Sequence, residues 1–311
     1  MEGLKVLSTG YYAPSKVVSN HEFEKSVDTS DAWIVERTGI KNRRFVTNET
    51  NVDIGYQAAK RAIEKSGIKK ENIGLIIVAT MSPDSFTPST ACLIQQRLGL
   101  NKQQIMAFDI SAACSGFVYA LTITNSLLQT MPNTYALVIG SEVLSNMIDF
   151  KDRGTCILFG DGAGAIIVER SQKLFVSYND SYGEKEPLFA NVRGENNYLQ
   201  MQGREVFKFA VKVVPLSIEK VLQLAKLSID EIDYIVCHQA NYRIISHVYK
   251  KLQCDPNKFF INLDEYGNTS GASIPLALGE MDERNMLQPG MKVICVGFGG
   301  GLTWGATLLE W

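Results

Sequence analysis

AIEKSGIKKENIGLIIVAT, residues Ala62 to Thr80, and VLQLAKLSIDEIDYIVCHQ, residues Val221 to Gln239, align without a gap and decide the fold. Each passes from a helix-like segment through a polar turn into a short run rich in Ile and Val, which is how a helix feeding a strand looks in sequence. Ile73 falls on Ile232, an offset of 159 residues. The same offset carries Cys114 onto Ser273, inside GNTSGAS. The LVIG ending at Gly140 pairs with the ICVG ending at Gly297 at an offset of 157. GAGAIIVER (Gly162 to Arg170) then mirrors TWGATLLEW (Thr303 to Trp311), each closing its stretch with a strand. Four paired landmarks in one order indicate a duplicated α/β unit whose junction lies between residues 170 and 200. Residues 1–170 are expected to form the N-terminal half and 171–311 the C-terminal half. The stretch from Ser177 to Gln202 is polar and rich in Gly and Asn, and is expected to be a surface loop.

The strands IGLIIVAT (Ile73 to Thr80), YALVIGSE (Tyr135 to Glu142) and MKVICVGFG (Met291 to Gly299) are almost continuously apolar. A strand with one wet face alternates polar and apolar residues, so these belong to sheets covered on both faces by helices.

The 311 residues suffice for one large or two ordinary domains, since domains commonly run about 100 to 200 residues. Hydrophobic residues make up 45% and charged residues 21%, the balance of a soluble globular chain that needs no staples. A formal charge of -2 with mixed signs offers no global field for nucleic acid or an anionic membrane, so an acidic partner requires a local basic patch. No run of about 18 apolar residues occurs and the first residues, MEGLKVLSTGYYAP, read as a strand and turn, not a signal peptide, so a cytoplasmic protein is expected. The six cysteines contain no C-x-x-C pair, which argues against a zinc site and a disulfide framework. Most are expected to be buried thiols.

Cys114 follows the strand-like segment Ile105 to Ile110 and opens a strongly apolar helix-length run, AACSGFVYALTITNSLLQTM, forming a strand-turn-helix elbow. A thiol at a helix N-terminus meets free backbone N–H groups and the positive end of the dipole, so a lowered pKa and a nucleophilic role are expected. A buried core cysteine is the alternative that the elbow alone does not remove. Only three histidines exist. His238 ends the strand DYIVC, where open α/β sheets place functional groups, whereas His21 and His247 read as surface or packing residues. GNTSGAS (Gly267 to Ser273) is a tight turn into a helix with Asn268 free to point inward, or else an ordinary capped turn. The duplication sets it opposite the Cys114 elbow.

Two glycine-rich runs read differently. GDGAGA (Gly160 to Ala165) fits G-x-G-x-x-A, yet the following IIVER is a strand and not a helix, so a dinucleotide site is rejected. GFGGGLTWG (Gly297 to Gly305) lacks the Gly-Lys-Ser/Thr of a phosphate loop, and successive backbone N–H groups there suit an oxyanion hole better than a plain hairpin.

From end to end the chain resembles the β-ketoacyl-acyl carrier protein synthase III family of thiolase-like fold. The resemblance rests on VDTSDAWIVERTGI (Val27 to Ile40), AACSGF around Cys114, DRGTCILFGDGAGA (Asp152 to Ala165), GREVFKFAV (Gly203 to Val211), HQANYRII (His238 to Ile245), YGNTSGAS (Tyr266 to Ser273) and GFGGGLTWG. It implies a five-layer αβαβα fold built from two similar halves, a homodimer, and decarboxylating condensation of an acyl-CoA primer with malonyl-acyl carrier protein. It implies Cys114, His238 and Asn268 as the catalytic three, and the backbone N–H groups of Cys114 and Gly300 as the oxyanion hole. Trp33 and Arg153 match the pair that sandwiches the CoA adenine, with Arg37 and Asn241 contacting the rest of the molecule. Lys208, Arg243, Lys250 and Lys251 match the basic patch for the carrier protein. Acyl-CoA enters as substrate, with no metal and no permanently bound cofactor.

The residue types agree with that chemistry. A thiolate attacks a thioester, and loss of carbon dioxide from a malonyl group generates the carbanion without a strong base. Neutral donors at His238 and Asn268 stabilise the enolate, where a carboxylate would repel it. One departure bears on the primer. Many members carry an aromatic residue directly before the proline of the segment matching Phe86-Thr87-Pro88, and here that position is Thr87. In the family this segment crosses the dimer interface and bounds the partner's acyl pocket. Thr87 opens the pocket to a longer or branched primer unless Phe86 swings in, so the primer stays open. A specialised paralogue that condenses or transfers another acyl group, and a non-catalytic binding subunit, are the competing readings; the intact Cys, His and Asn set argues against the last.

Overall fold

The computed structural model describes residues 3–131, 134–191 and 197–311. The apolar runs build two sheets. The first has five strands in the order Gly3–Tyr12, Gly162–Ser171, Tyr135–Glu142, Ile73–Ala79, Met106–Ile110. The second has four, in the order Tyr234–Cys237, Lys292–Gly299, Gly301–Glu310, Phe175–Glu184. Each sheet contains parallel pairing, with Ile76 opposite Leu137 in the first and Val236 opposite Cys295 in the second, which requires the helical crossovers seen in the sequence.

Two helices, Gly116–Leu128 and Ser273–Glu283, lie between the sheets. Helices Asn51–Ser66 and Thr90–Arg97 cover the outer face of the first sheet, and Gly203–Ala225 and Tyr242–Lys251 the outer side of the second half. The result is the five-layer thiolase-like arrangement. Alternation within a strand explains the unbroken apolar runs. Leu75 and Ile77 enter the central core with Phe117, Leu121, Ile274, Leu278 and Val293, whereas Ile76 and Val78 enter the outer core with Ile54, Ala58 and Ile94. Each such side chain, fully buried, contributes about 1.5–3 kcal/mol.

Both interlayer helices begin the same way. A 3₁₀ turn, Ala113–Ser115 or Ser270–Ala272, precedes each, and its first residue is held in the left-handed region, Ala113 at φ 45 and Ser270 at φ 47. Each turn packs on the opposite half. The first meets strand Lys292–Gly299 and the second meets strand Tyr135–Glu142. Glycine permits both approaches: a Cβ at Gly140 would stand 2.3 Å from the Gly271 carbonyl oxygen, and one at Gly297 3.0 Å from the Cys114 carbonyl oxygen.

Two expectations need correction. The turns match at an offset of 157, so Cys114 corresponds to Gly271 and not to Ser273; the connections after the two matching strands differ by two residues. The stretch Ser177 to Gln202 is not all loop. Phe175–Glu184 is an edge strand, with Ser177 opposite Thr307, and its polar residues fit because its far end is exposed. Leu188–Ala190 and Leu199–Met201 form a further small antiparallel pair, and residues 192–196 lie outside the described residues.

Candidate active site

Cys114, His238 and Asn268 are buried, at 5%, 2% and 7% exposure, and all three line one cleft of about 860 Å³. Cys114 also lines a second cleft of about 850 Å³, so the thiol stands where the two meet. The second turn reaches the first directly, with the Cys114 thiol donating to Ser270 Oγ at 3.3 Å. The duplication therefore does bring both helix starts to the centre of the molecule.

The thiol itself departs from expectation. Cys114 precedes the helix in the 3₁₀ turn, and burial pushes its pKa up to about 12, with Ser270 hydrogen bonding opposing and the negative charge of Glu142 reinforcing the rise. Sequence shows a helix start; it does not show how dry the site is, and desolvation of the thiolate wins here.

His238 follows the last residue of strand Tyr234–Cys237, and its N–H donates to Val296 O at 2.8 Å. Burial drives its pKa down to about 3, so the ring is neutral at physiological pH. Its tautomer follows from Ser273. Ser273 Oγ accepts from the Gln239 N–H at 3.3 Å and lies 2.7 Å from His238 Nδ1, to which its own proton can be donated. With Ser273 donating to Nδ1, His238 carries its own proton on Nε2 and is a neutral donor. Gln239 locks the segment by donating to Cys237 O at 2.8 Å and Phe260 O at 3.1 Å and by accepting from Asn262 N–H at 3.1 Å.

Asn268 is held on both sides by Leu158–Gly160. Its N–H donates to Leu158 O at 2.8 Å and its carbonyl accepts from Gly160 N–H at 3.0 Å. Its side-chain oxygen accepts from Ser270 N–H at 2.9 Å, which leaves the amide NH₂ as the end that donates toward the cleft. Sequence reasoning missed Ser273, Gln239 and Leu158–Gly160, although FGDG beside the Asn268 turn was the signal for the last. GDGAGA does run into strand Gly162–Ser171, as the rejection of a dinucleotide site requires.

Gly300 stands between strands Lys292–Gly299 and Gly301–Glu310. The hairpin tip lies against the elbow, since a Cβ at Gly299 would be 2.7 Å from the Cys114 nitrogen. The mouth of the first cleft is basic and aromatic. Arg153 lies 5.1 Å and Arg37 5.8 Å from the Trp33 ring centroid. Asn241 also lines it, while capping helix Tyr242–Lys251 through Arg243 N–H at 2.8 Å. Lys208 and Arg243 line the same mouth; Lys208 pairs with Glu205 at 2.8 Å and Arg243 lies over Phe207 at 5.8 Å. Arg204 joins them and was not foreseen. Lys250 and Lys251 stand outside the cleft, exposed on the last turn of that helix. Phe86 lines the second cleft and is 76% exposed, and Thr87 is exposed beside it. His21 is a surface residue paired with Glu24, and His247 packs against Phe207. Among the described residues no cluster of His, Cys, Asp and Glu forms a metal site, and no helix is long and apolar enough to cross a membrane.

Residues 108–181 match the family described as 3-oxoacyl-[acyl-carrier-protein] synthase III, and residues 222–311 match its C-terminal part. The chain is 49% identical to the β-ketoacyl-[acyl-carrier-protein] synthase III of Clostridium acetobutylicum, over 100% of this chain and 99% of that one. It is also 49% identical to that of Acholeplasma laidlawii, over 99% and 98%. The crystal structure of 3-oxoacyl-[acyl-carrier-protein] synthase III from Aquifex aeolicus superposes with a TM-score of 0.95 at 44% identity, covering 99% of this chain and 100% of that one. On this evidence the chain belongs to the β-ketoacyl-[acyl-carrier-protein] synthase III family of condensing acyltransferases.

Proposed function

We propose that the protein condenses an acyl-CoA primer with malonyl-acyl carrier protein, releasing carbon dioxide and starting a fatty acid chain. The observation that carries this reading is that Cys114, His238 and Asn268 line one cleft, with Cys114 at its junction with a second. Cys114 Sγ attacks the acyl-CoA carbonyl, the backbone N–H groups of Cys114 and Gly300 hold the oxyanion, and the CoA thiolate leaves. The malonyl thioester then enters by the first cleft. As its carboxylate departs, the enolate oxygen accepts hydrogen bonds from His238 Nε2 and the Asn268 amide, and the carbanion attacks the Cys114 thioester. A neutral His238 suits this step, because it donates without having to lose a proton. Residues 1–170 supply the nucleophile and 171–311 the two enolate donors.

Trp33 and Arg153 hold the adenine, with Arg37 and Asn241 on the remainder of CoA. Lys208, Arg243, Lys250 and Lys251 receive the carrier protein, their spread from cleft mouth to helix end fitting an extended acidic surface. The acyl group occupies the second cleft, bounded by Phe86 and Thr87. The protein acts as a homodimer: among the described residues Met106–Ile110 is an unpartnered sheet edge with Met106 half exposed, and Phe86 protrudes on the adjoining segment. All six cysteines are free thiols, which favours the reducing cytoplasm.

Mass spectrometry after incubation with acetyl-, isobutyryl- and hexanoyl-CoA tests the reading. One acyl group per chain on Cys114 is expected, lost in Cys114→Ala, and subsequent malonyl-carrier protein should yield a β-ketoacyl product with carbon dioxide. Acyl transfer without carbon dioxide would favour a paralogue acting on other acyl groups. An adduct that persists in Cys114→Ala would remove Cys114 from its role.

A further inference from the structure

Glu142 is a carboxylate that the steps above leave unused. It ends strand Tyr135–Glu142, is fully buried, and sits beneath the meeting point of the two turns. Ser82 Oγ donates to it at 2.5 Å, Met81 N–H at 3.1 Å, Thr80 Oγ1 at 3.2 Å and Gly271 N–H at 3.3 Å. Ser270 lies close enough to favour the ionised form of this carboxyl, and no Lys, Arg or His among the described residues forms an ion pair with it. Ser270 faces the other way as well, accepting from the Cys114 thiol at 3.3 Å. Its backbone is left-handed, with the next residue, Gly271, on the carboxylate, and strain of this kind concentrates at working sites.

The mechanism needs a group that accepts the Cys114 proton. His238 is poorly suited, since its Nδ1 is engaged with the Ser273 hydroxyl at 2.7 Å and burial disfavours the charged ring that taking up a proton would form. We propose that Ser270 and Glu142 form a proton relay for Cys114. The S–H bond of Cys114 breaks as its proton passes to Ser270 Oγ, and Ser270 gives its own hydroxyl proton to a Glu142 oxygen. The thiolate forms the new C–S bond, the C–S bond to CoA breaks, and the CoA thiolate takes a proton from solvent. When the carbanion later displaces Cys114, the thiolate regains its proton from Glu142 through Ser270. The pathway is balanced over the cycle, and His238 keeps its proton throughout. Burial independently raises the Glu142 carboxyl to about 7, so it exchanges a proton readily near neutrality.

The relay deepens the acylation role proposed for Cys114, and its test is arranged to stand apart from the identity of the acyl donor. Alkylation of Cys114 by iodoacetamide needs the same deprotonation and no acyl-CoA. In Ser270→Ala both alkylation and single-turnover acylation by acetyl-CoA should slow by about 100-fold, within the range for proton-transfer catalysis, while decarboxylation of a malonyl thioester suffers far less. Glu142→Gln should repeat the separation; since it sets an amide against several donors, its unfolding midpoint is measured alongside. Unchanged alkylation in Ser270→Ala overturns the relay. So does an equal fall of alkylation, acylation and decarboxylation, which would make Ser270 a support for the Asn268 turn. A native protein that is alkylated but never acylated, with alkylation still slowed in Ser270→Ala, contradicts the acyl-CoA reading and leaves the relay supported.

Discussion

The turn that carries Cys114 and the turn that follows Asn268 have the same backbone and opposite duties. Each starts with one left-handed residue, makes a 3₁₀ turn and opens an interlayer helix, at Gly116 in one and Ser273 in the other. Each leans on the sheet of the opposite half. In the first, the second residue is the proposed nucleophile; in the second, the equivalent residue is Gly271, and the polar side chains stand on its flanks, at Asn268, Ser270 and Ser273. The fold thus supplies two anchored helix starts face to face, and in the proposed mechanism side-chain replacement alone turns one into an acyl acceptor and the other into a set of donors.

The largest effect separates those duties. Cys114→Ala should abolish condensation altogether, whereas Asn268→Ala should lose about 10² to 10³-fold in condensation, the usual cost of one oxyanion donor, and still form the acyl-enzyme. Single-turnover kinetics with mass spectrometry distinguishes the two. An Asn268→Ala protein unable to acylate would merge the roles.

The packing of the turns differs next. Gly140→Ala drives a methyl against the Gly271 carbonyl and should destabilise by about 1–3 kcal/mol, as overpacking does. Gly297→Ala meets the Cys114 carbonyl at longer range and should cost less. Denaturant unfolding measures both, and equal losses would break the geometric distinction.

A smaller signature lies in pH. His238 ionises near 6.5 when unfolded and near 3 when folded, because burial excludes the charged ring. The unfolded chain therefore binds more protons between those values, and stability present above pH 6.5 is lost as pH falls toward 3. His238→Gln should flatten that slope in denaturation curves collected from pH 6.5 to 4. The smallest effect is at Ala113. Ala113→Gly relieves the left-handed backbone but adds freedom to the unfolded chain, so net stability should change by at most about 1 kcal/mol, read from the urea midpoint.

Much of this was legible in sequence because it rested on repetition and apolar runs. Ile73 and Ile232 located matching strands, and the elbow, His238 and Asn268 followed. What escaped notice shows the limits of linear reading. A two-residue difference in connection length shifted the match from Gly271 to Ser273. Glu142 reads as any acidic residue at a strand end until four donors, from Thr80, Met81, Ser82 and Gly271, surround it. The tautomer of His238 depends on Ser273, 35 residues away. The thiol pKa went the opposite way because a helix start is visible in sequence and burial from the second half is not.

The division of labour between the two turns is tested most directly by carbon dioxide release from malonyl-acyl carrier protein, with no acyl-CoA present, in Cys114→Ala. The account predicts that release continues, because His238 and Asn268 alone stabilise the enolate. Complete loss of release in a folded Cys114→Ala protein would contradict it.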